Sequence, residues 1–206
     1  MRYPWRAALG IAHDWNLDRI TQVISTEIGV RQGNSSEVEL VKSQLNTGFG
    51  VVSTTSCGRL FDAAAAILGI CTSVTYEAQA AMELEHAATS WANRHIGAPA
   101  FRFNSYRELF EMLAEDDREV GERAWQFHLG LAQLLGLQTA ETAEKAGITT
   151  VGLTGGVALN RLFSSHFTRI MHENGYVVLT HQTVPPNDGG LSLGQAWAAI
   201  LGASEG

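Results

Sequence analysis

The sequence predicts an α/β fold that is predominantly helical, with a small parallel sheet formed by a C-terminal β-α-β unit. Three observations support this prediction. Apolar residues recur every three or four positions through the middle of the chain, as in helices that bury one face. After Gly147 a run of β-branched residues leads into two glycines and a second helical pattern. The chain has 206 residues, of which 45% are hydrophobic, so it can bury a core.

Composition excludes several function classes. The chain carries 21 acidic and 14 basic side chains, a formal charge of −7, and its basic residues are scattered singly. Binding to nucleic acid needs clustered Lys and Arg, so no nucleic-acid partner is expected. The cysteines, Cys57 and Cys71, form no C-x-x-C pair, which argues against a zinc ribbon and fits a reducing cytoplasm. No apolar run approaches the ~20 residues of a membrane span, so we expect a soluble cytoplasmic protein without a membrane partner.

Helices are predicted in order through the first 147 residues. Pro4 suits a first helical turn, because its missing N–H has no intrahelical partner there. A second helix is expected at about 17–28, and a third from Ser35 or Ser36 to about Leu45. Three core-facing stripes follow. They are 63–68; Tyr76, Ala80, Leu84, Ala87 or Ala88, and Trp91; and Val120, Ala124, Phe127, Leu131 and Leu134. Phe101 and Phe103, in an irregular stretch, are expected to pin a loop onto these helices.

The pattern changes after Gly147. A strand is predicted at 148–154, then a glycine turn and a helix that Asn174 and Gly175 close. A second strand follows at 176–179, with a final helix near 191–201. Strand, crossover helix and strand make a right-handed parallel unit. We therefore predict a helical part over 1–147 and a β-α-β part over 148–206, together one structural domain.

Three segments combine glycine with the predicted start of a helix. A helix start offers unpaired N–H groups and a glycine lets a ligand approach the backbone, so each segment is suited to a phosphate or a sugar. An ordinary cap and turn is the alternative for each segment taken alone. Two of the three lie in one β-α-β frame, which favours a nucleotide cleft. The segments are TTSCGRLFD at 54–62, LTGGVALN at 153–160 and VPPNDGG at 184–190.

Side chains in these segments suggest separate roles. Ser56 brings a hydroxyl and Arg59 a cation for a phosphate. Asn160, one helical turn past Gly156, is expected to point back over the glycine turn and hydrogen-bond a base or a ribose. Asp188 lies beside glycine at a helix start, where a carboxylate either holds a metal ion or its bound water, or simply caps the helix.

Other chemistry-bearing residues form weaker patterns. Glu83 and His86 have the E-x-x-H spacing of di-iron bundles, but such a site needs a second copy and the sequence has none. The remaining histidines form no paired metal motif, which favours surface or core roles. Cys57 could have a lowered pKa beside a helix start, although a small loop residue is the favoured interpretation. The chain contains neither a P-loop nor a Rossmann glycine motif.

Four ordered motifs resemble a known family. With the P-W-R near the start, they resemble the carboxy-terminal part of the carbamoyltransferase of NiFe-hydrogenase maturation, the HypF family, over most of the chain. The agreement of four motifs in order is very improbable by chance. The motifs are TTSCGRLFDAAAAILGI at 54–70, VTYEAQAAMELE at 74–85, GLTGGVALNRL at 152–162 and VPPNDGGLSLGQA at 184–196.

The resemblance implies a partial second lobe of an actin-like ATPase module. It implies an enzyme that hydrolyses carbamoyl phosphate, makes a carbamoyl-adenylate from ATP and passes the carbamoyl group to the C-terminal cysteine of the partner HypE, where it becomes the source of cyanide ligands. The implied cofactors are ATP and a divalent metal (Fe, Zn or Mg). The implied roles are Gly155, Gly156 and Asn160 as the nucleotide-binding turn, Ser56, Gly58 and Arg59 near the phosphates, Glu77 near the ribose, and Asp188 as metal ligand.

The sequence also departs from that family. The family enzyme is several times longer, with an acylphosphatase-like domain, a zinc-finger region, a YrdC-like domain and a first lobe. Its histidine cluster, which supplies the other metal ligands, precedes the P-W-R segment. The expected partners are therefore the remaining domains or subunit of the carbamoyltransferase. We expect the isolated chain to be catalytically inactive, as one wall of a cleft, and to bind nucleotide weakly or not at all.

Two other functions compete with this interpretation. One is an O-carbamoyltransferase of small-molecule biosynthesis, which shares the last two motifs, although the segment TSCGRLFDA favours the hydrogenase branch. The other is a non-catalytic interaction module derived from the same lobe. Without a first lobe, apolar surface would be exposed, and the chain would tend to self-associate.

Overall fold

The computed structural model describes residues 2–115 and 117–203. The chain divides into two compact units, Met1–Leu134 and Leu135–Gly206. The first unit is helical throughout its regular elements, and the second carries a two-stranded parallel sheet. The prediction of a mainly helical α/β fold with a small parallel sheet is thereby confirmed.

The first unit contains the helices α1 to α6 and most of α7. Pro4 lies in the first turn of helix α1 (Pro4–Asp14), as predicted, and Ser105 caps helix α6 (Tyr106–Leu113) by accepting a hydrogen bond from the Glu108 N–H. The bounds are α1 Pro4–Asp14, α2 Asp18–Ile24, a π-helical stretch Ser25–Arg31, α3 Ser35–Thr47, α4 Cys57–Ile67, α5 Gln79–Arg94, α6 Tyr106–Leu113 and α7 Val120–Ala146.

The helix predicted at 17–28 is α-helical only as far as Ile24. Its continuation has the wider π-helical geometry. At the end of this wider stretch the Ser35 hydroxyl donates to the Gly29 carbonyl at 2.9 Å, which satisfies a carbonyl that the α-helical ladder would otherwise use. The third helix matches its prediction more closely and ends at Gly48, whose φ of +70° is a left-handed C-cap.

Helix α4 forms the centre of the first unit. Its alanine run 63–66 is fully buried and allows close packing against α1 and α5. Phe61 on α4 meets Phe127 edge to face, with ring centroids 5.3 Å apart, and Phe110 meets Phe127 in the same way at 5.8 Å. This aromatic core holds α4, α6 and α7 together.

The irregular stretch before α6 is pinned as predicted. Phe103 is buried, and its backbone N–H and carbonyl are both hydrogen-bonded by the side chain of Gln133, at 3.2 and 2.9 Å. A Cβ on Gly130 would lie only 2.6 Å from the Phe103 ring, so the absence of a side chain there makes room for the loop.

The second unit is a β-α-β unit followed by a helix. Strands β1 and β2 are parallel, in register from Thr150↔Val177 to Leu153↔Thr180. The regular elements are β1 Thr150–Leu153, a 3-10 turn Gly156–Leu159, α8 Arg161–Glu173, β2 Val177–Thr180, a 3-10 turn Asp188–Gly190 and α9 Leu191–Ala203. Both strands begin one or two residues later than predicted, and α8 begins only after Asn160, which caps it.

The end of α7 belongs to the second unit. A Cβ on Gly136 would lie 2.9 Å from Ile170 of α8, and the Tyr176 hydroxyl donates to the Ala140 carbonyl at 2.9 Å. These contacts place the start of the unit at Leu135, before the change of sequence pattern at Gly147. The buried face of α8 consists of Phe163, Phe167 and Met171.

Candidate functional site

The carboxyl ends of β1 and β2 lie side by side. Leu153 ends β1 and Thr180 ends β2, and the two residues are paired in the register. The two glycine segments of this unit follow these strand ends, so both emerge at one edge of the sheet. In parallel sheets this edge is where ligands bind. The predicted residues of the second unit therefore occupy the expected edge.

The two glycine segments are joined by backbone hydrogen bonding. The Gly155 N–H donates to the Pro186 carbonyl at 2.8 Å, and the Thr154 hydroxyl donates to the same oxygen at 3.4 Å. Gly155 has φ +91° and ψ 170°, a conformation that essentially only glycine adopts. No atom lies within 4 Å of a Cβ placed on Gly155 or Gly156, so the space beside both glycines is open.

A histidine that sequence reasoning left aside is part of this junction. His181 Nε2 lies 3.0 Å from Thr154 Oγ1. Thr154 follows Leu153, and His181 follows Thr180, so the contact continues the strand register by one more pair. The signal that could have found it is positional: both residues come directly after predicted parallel strands.

Asn160 is buried and caps α8. Its Oδ1 accepts a hydrogen bond from the Phe163 N–H at 2.9 Å, and the residue is 7% exposed. The sequence predicted that this side chain points back over the glycine turn, whereas the oxygen is directed at the start of α8. A contact between Asn160 and a base or ribose stays a prediction.

Asp188 has a carboxylate that is free for a ligand. The capping alternative raised by the sequence is fulfilled by its neighbour, since Asn187 Oδ1 accepts a hydrogen bond from the Gly189 N–H at 3.2 Å. Within residues 117–203 the exposed Asp188 side chain has no hydrogen bond or ion pair. A Cβ on Gly190 would lie 2.5 Å from the Pro185 carbonyl oxygen, which explains the glycine in this tight turn.

The first unit places three predicted residues at the start of α4. Ser56 is the exposed residue before the helix, with no capping bond from its side chain, and Gly58 lies in the first turn. Arg59 forms an ion pair with Asp62, with Nη1 and Oδ2 2.7 Å apart. Burial raises the pKa of Asp62, and the neighbouring Arg59 opposes that rise. Glu77 lies apart from this helix start in sequence, exposed in the turn before α5.

The cysteine at the start of α4 is not an activated thiol. Burial raises the pKa of Cys57 to about 11, so the thiol stays protonated near neutral pH. The possibility of a lowered pKa is therefore wrong, because burial disfavours the charged thiolate. The pKa of Cys71 is also raised to about 11, first by burial and then by Glu83.

An open cavity of about 750 Å³ lies in the second unit, beside the glycine segments. Its apolar part is formed by Leu153, Ala158 and Leu159, and its polar part includes the hydroxyls of α8 and His181. None of the predicted site residues lines this cavity, but residues close to them in sequence do, such as Leu159 beside Asn160. Among the described residues, no group of three His, Cys, Asp or Glu side chains forms a metal site.

The fold and the loops at the carboxyl edge of the parallel strands together define the class of protein. The second unit is an α/β module with two joined loops and one available carboxylate at the carboxyl edge of its parallel strands. The family model described as the carbamoyltransferase Kae1-like domain, second subdomain, matches residues 1–195. The chain belongs to this family of HypF carbamoyltransferases, which confirms the resemblance drawn from the four motifs.

Relatives agree along nearly the whole chain. The carbamoyltransferase HypF2 of Cupriavidus necator is 30% identical over 97% of this chain and 28% of its own length. The probable carbamoyltransferase HypF of Methanocaldococcus jannaschii is 33% identical over 82% of this chain and 23% of its own. The chain thus spans about a quarter of these two relatives.

Solved structures show the same fold. The crystal structure of T. kodakarensis HypF has a TM-score of 0.80 and 27% identity, covering 99% of this chain and 28% of that one. A full-length HypF in the phosphate- and nucleotide-bound form has a TM-score of 0.77 and 27% identity, covering 95% of this chain and 26% of that one. No helix of the described residues is long and apolar enough to cross a membrane.

Proposed function

We propose that this chain provides one wall of the nucleotide cleft of a cytoplasmic carbamoyltransferase in NiFe-hydrogenase maturation. The complete enzyme uses carbamoyl phosphate and ATP, through a carbamoyl-adenylate, to carbamoylate the C-terminal cysteine of HypE. One observation carries the proposal: the bond from Gly155 N–H to the Pro186 carbonyl joins the two glycine segments while the Asp188 carboxylate stays available. Support comes from the family, and from the relative whose solved structure is described as nucleotide-bound.

Each unit is proposed to contribute its own contacts. In the second unit, the backbone of Gly155 and Gly156 approaches the nucleotide, because the space beside both glycines is open. Asn160 is proposed to add a contact to base or ribose besides its capping role. In the first unit the proposed phosphate contacts are Ser56, Gly58 and Arg59, and the proposed ribose contact is Glu77.

Asp188 fits one kind of metal better than others. A single exposed carboxylate suits Mg²⁺, which proteins hold with one or two carboxylates together with nucleotide phosphates. Iron and zinc sites need several imidazole or thiolate ligands as well. When bound, the ion would offset the negative charge of the phosphates. Asp188 would hold it at the carboxyl edge of the sheet.

Residues 1–206 alone are proposed to be catalytically inactive. Transfer of a carbamoyl group requires the donor and the cysteine thiol to be aligned and water to be excluded, and the relatives have about three quarters of their length outside the matched part. The purified 206-residue chain is expected to consume no carbamoyl phosphate with ATP and to leave a cysteine peptide unmodified, as followed by mass spectrometry. Modified peptide would contradict this proposal.

Nucleotide binding tests the site itself. Calorimetry with Mg·ATP is expected to give a millimolar Kd for the unchanged chain, and sub-micromolar binding would contradict the picture of a single wall. Asn160→Ser is the informative variant, because a serine hydroxyl keeps the α8 cap while the amide is removed. We expect weaker binding with an unchanged melting temperature. Asn160→Ala removes both the cap and the amide and serves as the comparison.

The metal role has its own test. Asp188→Asn keeps the size of the side chain and removes its charge, so the Mg²⁺ dependence of nucleotide binding should decrease while metal-free binding is unchanged. The matched control is Asn187→Ser, which keeps an oxygen acceptor for the Gly189 N–H and adds no charge. Equal Mg²⁺ dependence in the unchanged chain and in Asp188→Asn would exclude Asp188 as the ligand.

A second proposal is self-association through α9. Residues 191–202 of this helix are exposed, and the large exposed apolar side chains among them are Leu191, Leu193, Trp197, Ile200 and Leu201. An exposed apolar surface of this kind marks an interaction site. Light scattering is expected to show concentration-dependent association that Trp197→Glu reduces. A monomer across a wide concentration range would exclude the proposal.

A further inference from the structure

The two glycine segments are held together by a short polar relay. His181 Nε2 lies 3.0 Å from Thr154 Oγ1, and the Thr154 hydroxyl lies 3.4 Å from the Pro186 carbonyl. The Gly155 N–H donates to the same carbonyl at 2.8 Å. The relay thus runs from the residue after β2, through the residue after β1, to the loop that precedes Asp188. We call His181, Thr154 and Pro186 the loop relay.

The donor and acceptor roles in the loop relay follow from its chemistry. A threonine hydroxyl has one hydrogen, and the Pro186 carbonyl can only accept. With that hydrogen directed at Pro186, Thr154 Oγ1 accepts from His181 Nε2–H. This donor exists in the neutral tautomer protonated at Nε2 and in the imidazolium, so both protonation states maintain the contact.

The loop relay connects the glycine turn with the loop that carries Asp188. On one side it fixes the start of the turn that contains Gly155 and Gly156. On the other it fixes Pro186, two residues before Asp188, in a turn that is otherwise ordered by the Asn187 cap. The distance between the glycine backbone and the Asp188 carboxylate is therefore set by contacts that span the two loops.

We propose that His181 is a positioning residue, which acts through Thr154 to hold the glycine turn and the Asp188 loop at the separation that a metal-bound nucleotide requires. The proposal rests on the nucleotide site proposed above. His181 needs no contact with the nucleotide for this role. Because the relay is a local contact at an exposed edge, its loss should leave the core unchanged.

The test uses the complete 206-residue chain with four single variants and one double variant. His181→Ala and Thr154→Val remove the relay. His181→Gln and Thr154→Ser are the matched controls, since each keeps a donor or a hydroxyl at the same place. The double variant His181→Ala with Thr154→Val measures whether the two residues act together. Circular dichroism and the melting temperature report the fold of every variant.

Two readouts separate the loop contact from nucleotide binding. The first is amide exchange at Gly155, measured by NMR without nucleotide, which should become about fivefold faster in His181→Ala and Thr154→Val, as for the loss of one hydrogen bond. The second is the Kd of Mg·ATP, measured by calorimetry, which should rise by about the same factor. Both control variants should keep the Gly155 exchange rate and the Mg·ATP Kd of the wild-type chain. The double variant should change neither quantity more than either single removal variant does.

Each result decides a different point. Unchanged exchange at Gly155 in both removal variants would overturn the loop relay whatever the nucleotide does. Faster exchange with unchanged Kd would overturn the positioning role, with the proposed nucleotide site intact. Faster exchange in a chain that binds no Mg·ATP before any substitution would overturn the nucleotide site proposed for these residues and the positioning role together. Faster exchange, weaker binding and recovery in both controls would support the proposal.

Discussion

The two units stabilise their candidate site residues by different means. In the first unit, Ser56, Gly58 and Arg59 stand at the start of α4, whose following residues are almost all buried in an aromatic and alanine-rich core. In the second unit, the glycine segments are exposed and are joined by a few hydrogen bonds. The start of α4 is therefore held by side-chain packing, whereas the glycine segments of the second unit are held by hydrogen bonds. Substitutions should therefore cost most stability in the packed core of the first unit and less in the glycine segments of the second.

The largest expected effect is on the packed core of the first unit. Phe61→Ala should lower the free energy of unfolding by about 3–5 kcal/mol, because Phe61 is fully buried against Phe127 and His128. Urea denaturation followed by helical circular dichroism measures this loss. The control is Trp197→Ala in the second unit, which is 62% exposed and should change the free energy by less than about 0.5 kcal/mol. Similar losses for the two variants would contradict the core role of Phe61 in the first unit.

An intermediate effect is expected at the glycine turn. Gly155→Ala should cost about 1–3 kcal/mol, because its backbone conformation is nearly restricted to glycine. The measurement is local stability of the second unit by hydrogen exchange of α8 and β2. Gly156→Ala is the matched control, since no atom lies within 4 Å of its added Cβ and its φ is not positive. If the two variants lost equal stability, the positive φ of Gly155 would not be the cause of the loss.

The smallest expected effect is the pH dependence that Asp62 contributes in the first unit. Burial raises the folded pKa of Asp62 above its ordinary value, so the folded state holds this proton more tightly than the unfolded state. Between the two pKa values the unfolding free energy must therefore decrease as the pH rises. Comparing the unchanged chain with Asp62→Asn by urea denaturation from pH 3 to about pH 7 isolates this contribution.

The direction of the change is the decisive feature. Relative to Asp62→Asn, the unchanged chain should lose stability as the pH rises from the ordinary aspartate pKa through the raised folded pKa. The opposite slope would mean that the ion pair with Arg59 outweighs burial. A difference between the two chains that is independent of pH would show that Asp62 has the same pKa in both states.

Local signals in the sequence predicted most of the elements. Proline at the start of α1, the glycine that ends α3 and the β-branched run of β1 each act through the backbone of their immediate neighbours. The sequence did not predict the π-helical continuation of α2, in which the Gly29 carbonyl accepts a hydrogen bond from the Ser35 hydroxyl of the following helix. For the segment that contains Asn160 the sequence left a cap as the alternative, because this residue type suits both a ligand and a cap, and the observed hydrogen bond shows the cap.

Signals between residues adjacent along the chain specify most of the helices and strands, the three glycine segments and the family. Which groups meet depends on the tertiary structure. His181 and Thr154 are 27 residues apart and Thr154 and Pro186 are 32 apart, so their contacts exist only once β1 and β2 have paired in one register. It also decided that Asn187 rather than Asp188 caps its turn, and that burial raises the pKa of Cys57. The physical reason is that parallel register and desolvation depend on contacts between segments distant in sequence.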